Sequence, residues 1–226
     1  MATLVAYNIP GRDLGNYSRG GAENAASYKD WIKRLAALLP RFDSLIVLEP
    51  DALAHIANID NAFGTERSHL LRFAVEVLRM TGRTRVYVDA GHPRWRSSEE
   101  IYTRINRSGL LDADGFALNV SNFVTTDENV RYGKELCERS GMHFVIDISR
   151  NGRGPAIRSD GSLEWCNPPG RALGSPPTTD TGHAMVDALL WIKRPGESDG
   201  ECNGGPPAGH WWPDYALGLA RRASWR

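Results

Sequence analysis

Leu45-Ile46-Val47-Leu48-Glu49-Pro50-Asp51-Ala52-Leu53 is the stretch of this chain that decides its fold. The aliphatic run 45–48 predicts a strand buried on both faces, as strands of parallel sheets are. Pro50 lacks an N–H and favours an extended Glu49, so the chain is expected to leave the sheet at this point. Asp51 would then follow the carboxyl end of a buried strand, which is where parallel α/β proteins place their functional groups.

Two interpretations of Asp51 follow from this position. A carboxyl group partly desolvated by the strand beneath it can have a raised pKa and act as a proton donor. Alternatively, Asp51 is the N-cap of a helix that begins at Ala52. The segment by itself favours neither interpretation.

The rest of the chain repeats the order strand, polar loop, helix. Predicted strands cover residues 3–9, 45–48, 85–88, 115–120, 143–147 and 185–193, and predicted helices cover 25–39, 67–80, 97–108, 126–140 and 213–222. This alternation predicts an α/β fold with parallel strands, and a barrel suits six such units better than an open sheet. Residues 152–182 are rich in proline and glycine without periodicity, which is typical of a long functional or disordered loop.

The composition excludes some classes of partner. Lys and Arg together number 27, and so do Asp and Glu, which gives a formal net charge of zero. Such a balance argues against binding to nucleic acid or to an anionic membrane. The chain has no apolar run long enough for a membrane span, and its first residues do not form a signal peptide.

Four acidic residues lie in loops that follow predicted strands: Asp13, Asp51, Asp89 and Asp199. Each alone would more often be a solvated or capping side chain. The carboxyl ends of barrel strands converge on one rim, however, so the four could share a cleft. Two carboxyl groups across a cleft, one protonated and one ionised, are what hydrolysis of a glycosidic bond requires.

The motifs around these carboxylates resemble those of a known family. Val5–Asp13 resembles the first signature of glycoside hydrolase family 6, the inverting cellulases, and Ile46–Leu53 resembles the second. Further blocks follow in the family's order: Asp89–His92, Asn119–Phe123, Ser149–Gly152, Trp165–Pro168 and Lys193–Gly200. The likeness is greatest to actinobacterial, mycobacterial-type endoglucanases. It implies a distorted parallel (β/α) barrel, residues 1–226 forming a single catalytic domain, N-terminally shortened by one strand–helix unit.

The resemblance also implies roles for individual residues. Asp51 would be the general acid, Asp13 would keep the pKa of Asp51 high and relay a proton, Asp199 would be the candidate base, and Ser18 would position the attacking water. Arg12 would pair with the carboxylates, and Asp89 would shape the surroundings of the acid. The implied substrate-binding residues are Tyr7, Arg12, Asp89, His92, Trp95, Asn119, Asn122, Trp165, Lys193 and Glu197.

Aromatic and cysteine residues refine these expectations. Trp31 and Trp191 fall on regular apolar patterns and are expected in the core, whereas Trp95 and Trp165 lie in polar loops, where stacking on a sugar is favoured. His55 is expected to be a surface or structural residue. Cys166 and Cys202 match a disulfide of the family, which fits an exported protein, and Cys137 would be a free thiol. Leu14 replaces a cysteine of the family's first signature.

The implied function is that of an endo-β-1,4-glucanase that hydrolyses cellulose or related β-glucans with inversion. The partner would be a β-glucan chain, the protein a secreted monomer, and no metal or organic cofactor is implied. Endo action is favoured because residues 201–213 form a short segment for a loop that would close a tunnel. The alternative is a non-catalytic, glucan-binding remnant of the same fold. A retaining hydrolase is disfavoured, because no matching pair of Glu residues follows successive strands.

Overall fold

Six parallel strands form one curled sheet with the shape of half a barrel. A computed structural model describes residues 1–57 and 59–225. The strands, in chain order, are β1 (Ala2–Ala6), β2 (Ser44–Leu48), β3 (Thr84–Asp89), β4 (Gly115–Leu118), β5 (His143–Asp147), β6 (Ala156–Ile157), β7 (Leu163–Glu164) and β8 (Val186–Leu190). The large sheet has the order β1-β2-β3-β4-β5-β8, and β6 and β7 form a separate antiparallel hairpin within the long loop. The predicted parallel α/β fold is confirmed.

Within residues 1–57 and 59–225, five α-helices connect and cover the strands: α1 (Ala25–Leu38), α2 (Ala62–Arg79), α3 (Ser98–Arg107), α4 (Thr126–Ser140) and α5 (Pro213–Arg221). Helix α3 begins with a capping box, in which Ser97 and Glu100 bind each other's backbone N–H groups, as its sequence predicts. Helix α2 begins five residues earlier than predicted, because the side chain of Asn61 caps it by accepting the N–H of Gly64 at 2.7 Å. Among the described helices, none is long and apolar enough to cross a membrane.

The core lies on both faces of the sheet. Along β2 every residue is buried, and Ile46 and Leu48 pack with the helices while Leu45 and Val47 belong to a smaller cluster on the other face. The rings of Phe116 and Phe144 stack on the helix side, with centroids 5.2 Å apart. Trp31 and Trp191 pack against this core, as predicted. The prediction of a strand buried on both faces is therefore confirmed.

Candidate active site

A groove of about 900 Å³ lies at the carboxyl ends of the strands. Most of the predicted site residues line it: Tyr7, Arg12, Asp13, Ser18, Asp51, His92, Trp95, Asn122, Trp165, Lys193, Glu197 and Asp199. A second depression, of about 1030 Å³, is lined by residues such as Asp43, Arg83 and Asp114, near the amino ends of β2 and β3, and contains none of the predicted site residues. The groove is therefore the candidate site.

Asp51 occupies an unusual backbone conformation directly after β2. Its φ angle is 67° and that of Glu49 is 47°, so Glu49 is not extended as predicted. Residues 50–55 form turns in which His55 donates its N–H to the carbonyl of Asp51, and the next helix begins only at Ala62. The interpretation of Asp51 as a helix cap is therefore wrong. Non-glycine residues with positive φ are strained, and such strain is concentrated at functional sites.

The surroundings of the Asp51 carboxyl disfavour its anion. Burial and, to a smaller extent, the nearby charge of Asp13 together raise the pKa of Asp51 to about 7. The phenol of Tyr7 donates a hydrogen bond of 3.5 Å to Oδ2 of Asp51, which opposes the rise in pKa. Asp51 can therefore carry a proton near neutral pH, as a general acid must.

The loop after β1 folds back on itself around Arg12. Arg12 donates Nη1 to the carbonyl of Tyr7 and Nε to the carbonyl of Ser18, each at 2.7 Å, and its guanidinium lies 5.0 Å from the centre of the Tyr7 ring. Oδ2 of Asp13 accepts the N–H of Ser18 at 2.8 Å. Within the described residues, Arg12 has no carboxylate within 4 Å, so the prediction that it pairs with the carboxylates is wrong. Its donors are used to close the loop that carries Asp13.

Asp199 is held by two cations and by a neighbouring loop. Its side chain contacts Nη1 of the fully buried Arg150 at 2.9 Å and Nζ of Lys193 at 3.6 Å. Asn167 donates its N–H to Asp199 Oδ2 at 3.0 Å and accepts the N–H of Asp199 on its own Oδ1 at 2.8 Å. Roles for Arg150 and Asn167 were missed from the sequence, although Arg150 lies in the block Ser149–Gly152 and Asn167 in the block Trp165–Pro168.

The loop of Asn167 is covalently joined to the loop of Asp199. The structure pairs Cys166 with Cys202, as the family resemblance implies, and Cys137 is a buried free thiol in α4. The ring of Tyr17 packs against Gly200, where an added Cβ would lie 2.3 Å from the ring. The loops that carry Asp13 and Asp199 therefore touch each other across the site, and glycine is required at position 200.

Two predicted substrate contacts do not line the groove. Asp89 is 1% exposed, and its Oδ2 accepts the N–H groups of Asp51 and Gly91 at 2.8 and 3.2 Å. Asn119 is 0% exposed, and its amide binds backbone groups of Val124 and Asp147. In this structure their polar atoms hold loop backbones, and their role as substrate contacts stays a prediction. Burial raises the pKa of Asp89, which makes it a costly residue to place there without a role.

Aromatic and imidazole rings cluster along the groove. The Trp95 ring lies 5.1 Å from the ring of His55 and 5.8 Å from that of His92. Burial lowers the pKa of both histidines to about 4, so both imidazoles are neutral at pH 7. His55, predicted to be a surface or structural residue, lines the groove instead. Trp165 is 42% exposed and its ring lies 6.2 Å from that of Tyr17.

The fold is a parallel half-barrel, and acidic and aromatic side chains line the groove at the carboxyl ends of its strands. These features define a class of protein, the α/β barrels built like glycoside hydrolases. Within that class, the chain belongs to glycosyl hydrolases family 6, whose sequence model matches residues 1–223.

Known members of the family are similar to this chain along nearly all of its length. Endoglucanase A of Cellulomonas fimi is 46% identical over 223 residues, which cover 98% of this chain and 47% of that protein. Endoglucanase 1 of Streptomyces halstedii is 45% identical over 226 residues, covering 96% of this chain and 68% of that protein. The chain thus spans about half to two thirds of the length of these relatives.

A solved structure is similar in three dimensions as well as in sequence. The endoglucanase Cel6 from Mycobacterium tuberculosis, in complex with methyl-cellobiosyl-4-deoxy-4-thio-β-D-cellobioside, superposes with a TM-score of 0.92 at 49% identity. The superposition covers 97% of this chain and 75% of that one. The curled sheet is therefore the architecture of the family.

Proposed function

We propose that residues 1–226 act as a single catalytic domain that hydrolyses β-1,4-glucans such as cellulose by endo cleavage, with inversion at the anomeric carbon. The observation that carries this proposal is the carboxyl of Asp51, which faces the groove and has its pKa raised to about 7 by burial and by Asp13. A carboxyl with these properties beside a groove lined by Trp95 and Trp165 suits proton donation to a glycosidic oxygen.

The proposed reaction is a single displacement. Asp51 gives its proton to the glycosidic oxygen as the bond from that oxygen to the anomeric carbon breaks. A water held by Ser18 attacks the anomeric carbon from the opposite face, and its proton passes to Asp199, the candidate base, with Asp13 helping to relay it. Inverting enzymes separate the two carboxyl groups by about 6.5–9.5 Å to make room for this water. Tyr7, beside Asp51, would favour a distorted sugar ring.

Several features support the remaining parts of the proposal. The similar proteins from Cellulomonas fimi, Streptomyces halstedii and Mycobacterium tuberculosis are all endoglucanases, and the last binds a thio-linked cello-oligosaccharide. Five groove residues would contact the glucan, either by stacking on its apolar faces or by binding its hydroxyls: Trp165, His92, Asn122, Lys193 and Glu197. The Cys166–Cys202 disulfide supports an extracellular location. We further propose that the domain acts as a monomer.

The stereochemistry can be tested directly. NMR of the products formed from a soluble β-glucan in the first minutes should show the α-anomer before mutarotation. An initial β-anomer would refute inversion. Viscosity that falls faster than reducing ends accumulate would support endo cleavage. Absence of any hydrolysis, together with retained glucan binding, would instead indicate the non-catalytic remnant.

A further inference from the structure

Glu49 is a buried acidic residue that the mechanism above does not use. It directly follows β2, two residues before Asp51, and is 0% exposed. Both of its carboxylate oxygens accept the N–H of Asn8 at 3.0 Å, and Oε2 also accepts the N–H of Ile9 at 2.8 Å. A carboxylate that is fully buried and aimed at two consecutive backbone N–H groups holds that backbone in one place.

Arg67 binds the backbone of Pro10 and Gly11, the two residues that follow Ile9. It projects from α2, is 3% exposed, and donates Nη2 to the carbonyls of Pro10 and Gly11 at 3.2 and 3.3 Å. Its guanidinium also lies 4.5 Å from the centre of the Phe63 ring. Burial raises the pKa of Glu49 to about 7 and lowers that of Arg67, and the attraction between the two side chains opposes both shifts.

Glu49 and Arg67 bind different kinds of backbone group in residues 8–11. The carboxyl group of Glu49 accepts the N–H groups of Asn8 and Ile9, and the guanidinium of Arg67 donates to the carbonyls of Pro10 and Gly11. Burying two charges costs free energy that core packing alone would not require, since an apolar pair of the same size is often as stable. The segment they hold joins Tyr7, which contacts Asp51, to Asp13, which raises the pKa of Asp51.

We propose that Glu49 and Arg67 are positioning residues that clamp residues 8–11 and so fix Tyr7 and Asp13 relative to the acid Asp51. This proposal rests on the proposed function for its effect on catalysis, but the clamp itself can be measured without substrate. If the clamp loosens, Asp13 moves away from Asp51, and the proton of Asp51 is lost at lower pH. The charged and titratable groups that act on or contact Asp51 are Asp13, Tyr7 and Asp89.

The test compares Glu49→Gln, Arg67→Met and Arg67→Lys with wild type. Asp114→Asn is the matched control, because Asp114 also accepts a backbone N–H, that of Val86 at 2.9 Å, but lies away from the groove. Amide hydrogen exchange by NMR should be about tenfold faster at Asn8 and Ile9 in Glu49→Gln, as expected when a hydrogen bond to a charged group is lost. Asp114→Asn should leave these two amides unchanged. Unchanged exchange in Glu49→Gln would overturn the clamp, whatever the enzyme's activity.

The pH profile of kcat/KM on a soluble β-glucan then tests positioning, with each value divided by the folded fraction of the variant at that pH. The alkaline limb should move to lower pH by about half a unit or more in Arg67→Met, because Asp13 no longer raises the pKa of Asp51. Simple loss of the positive charge of Arg67 would move that limb to higher pH instead, which would overturn positioning. Arg67→Lys, which keeps a donor, should restore the limb in part. Wild type without hydrolysis would refute the proposed function and leave the exchange result to decide the clamp.

Discussion

Oδ2 of Asp89 accepts the backbone N–H of Asp51 at 2.8 Å, so one buried carboxylate holds the main chain that carries another. The same oxygen accepts the N–H of Gly91, which ties the loops after β2 and β3 together. Asp51 has a φ of 67°, a conformation that costs an ordinary residue about 1–3 kcal/mol unless its surroundings enforce it. The hydrogen bond from the Asp51 N–H to Asp89 helps to hold Asp51 in this conformation.

Asp89→Ala is therefore expected to reduce kcat about 10- to 100-fold while KM changes little, because loss of this buried hydrogen bond releases the backbone of the acid. Asp89→Asn, which keeps one acceptor oxygen, should lose less. Steady-state kinetics on a soluble β-glucan would measure both. A rise in KM with unchanged kcat would instead favour direct substrate contact by Asp89.

Asp51 should make the folded protein less stable as the pH rises. Its pKa is about 7 in the folded state and about 3.8 in the unfolded chain, so the folded protein binds the proton more tightly between these values. Stability from this group is fully present below about pH 3.8 and is lost as the pH passes through about 7. Asp51→Asn should melt above wild type at pH 8, with a difference that shrinks toward pH 4. A difference in melting temperature between Asp51→Asn and wild type that is the same at every pH in this range would contradict the raised pKa.

Activity should fall on the alkaline side as Asp51 loses its proton. Wild-type kcat/KM is expected to decline above about pH 7. Asp13→Asn removes the like charge, so the Asp51 pKa falls and the alkaline limb moves to lower pH. The control is Asp114→Asn, at the opposite end of the strands. An alkaline limb that stays in place in Asp13→Asn would show that burial alone sets the pKa of Asp51.

Trp165 is expected to bind a glucose unit of the glucan by stacking. Trp165→Ala should raise KM for cello-oligosaccharides roughly tenfold, and Trp165→Phe should raise it less, because a smaller aromatic face remains. Trp31→Phe is the control: it alters a ring that packs on the core, so it should lower the melting temperature without changing KM. Equal KM for Trp165→Ala and wild type would remove Trp165 from the binding surface.

The fold was largely predictable because its signals are local. Runs such as 45–48 are buried on both faces, and polar loops follow each strand at the rim, so both the strand positions and the rim containing Asp13, Asp51 and Asp199 follow from the sequence. The family resemblance supplied the identities of most groove residues. The half-barrel and the Cys166–Cys202 bond agree with it.

What the sequence did not predict depends on how each loop folds back on itself and on partners in other loops. A polar residue after a strand can face the groove or turn inward, and Asn119 turned inward because Val124 and Asp147 offer backbone partners. Arg12 binds the carbonyls of Tyr7 and Ser18 only because its loop closes back on itself. The positive φ of Glu49 depends likewise on a distant segment, since residues 8–9 bind its carboxylate.

The left-handed backbone at positions 13, 49 and 51 restricts how this protein can be engineered. Asp13, Glu49 and Asp51 have φ angles of 55°, 47° and 67°, which Gly and Asn tolerate far better than alanine or branched residues do. An alanine scan there would confound loss of a carboxyl group with a distorted main chain. Saturation libraries at these codons would yield few folded variants, so directed evolution of the groove is better aimed at positions such as 55, 95 and 165.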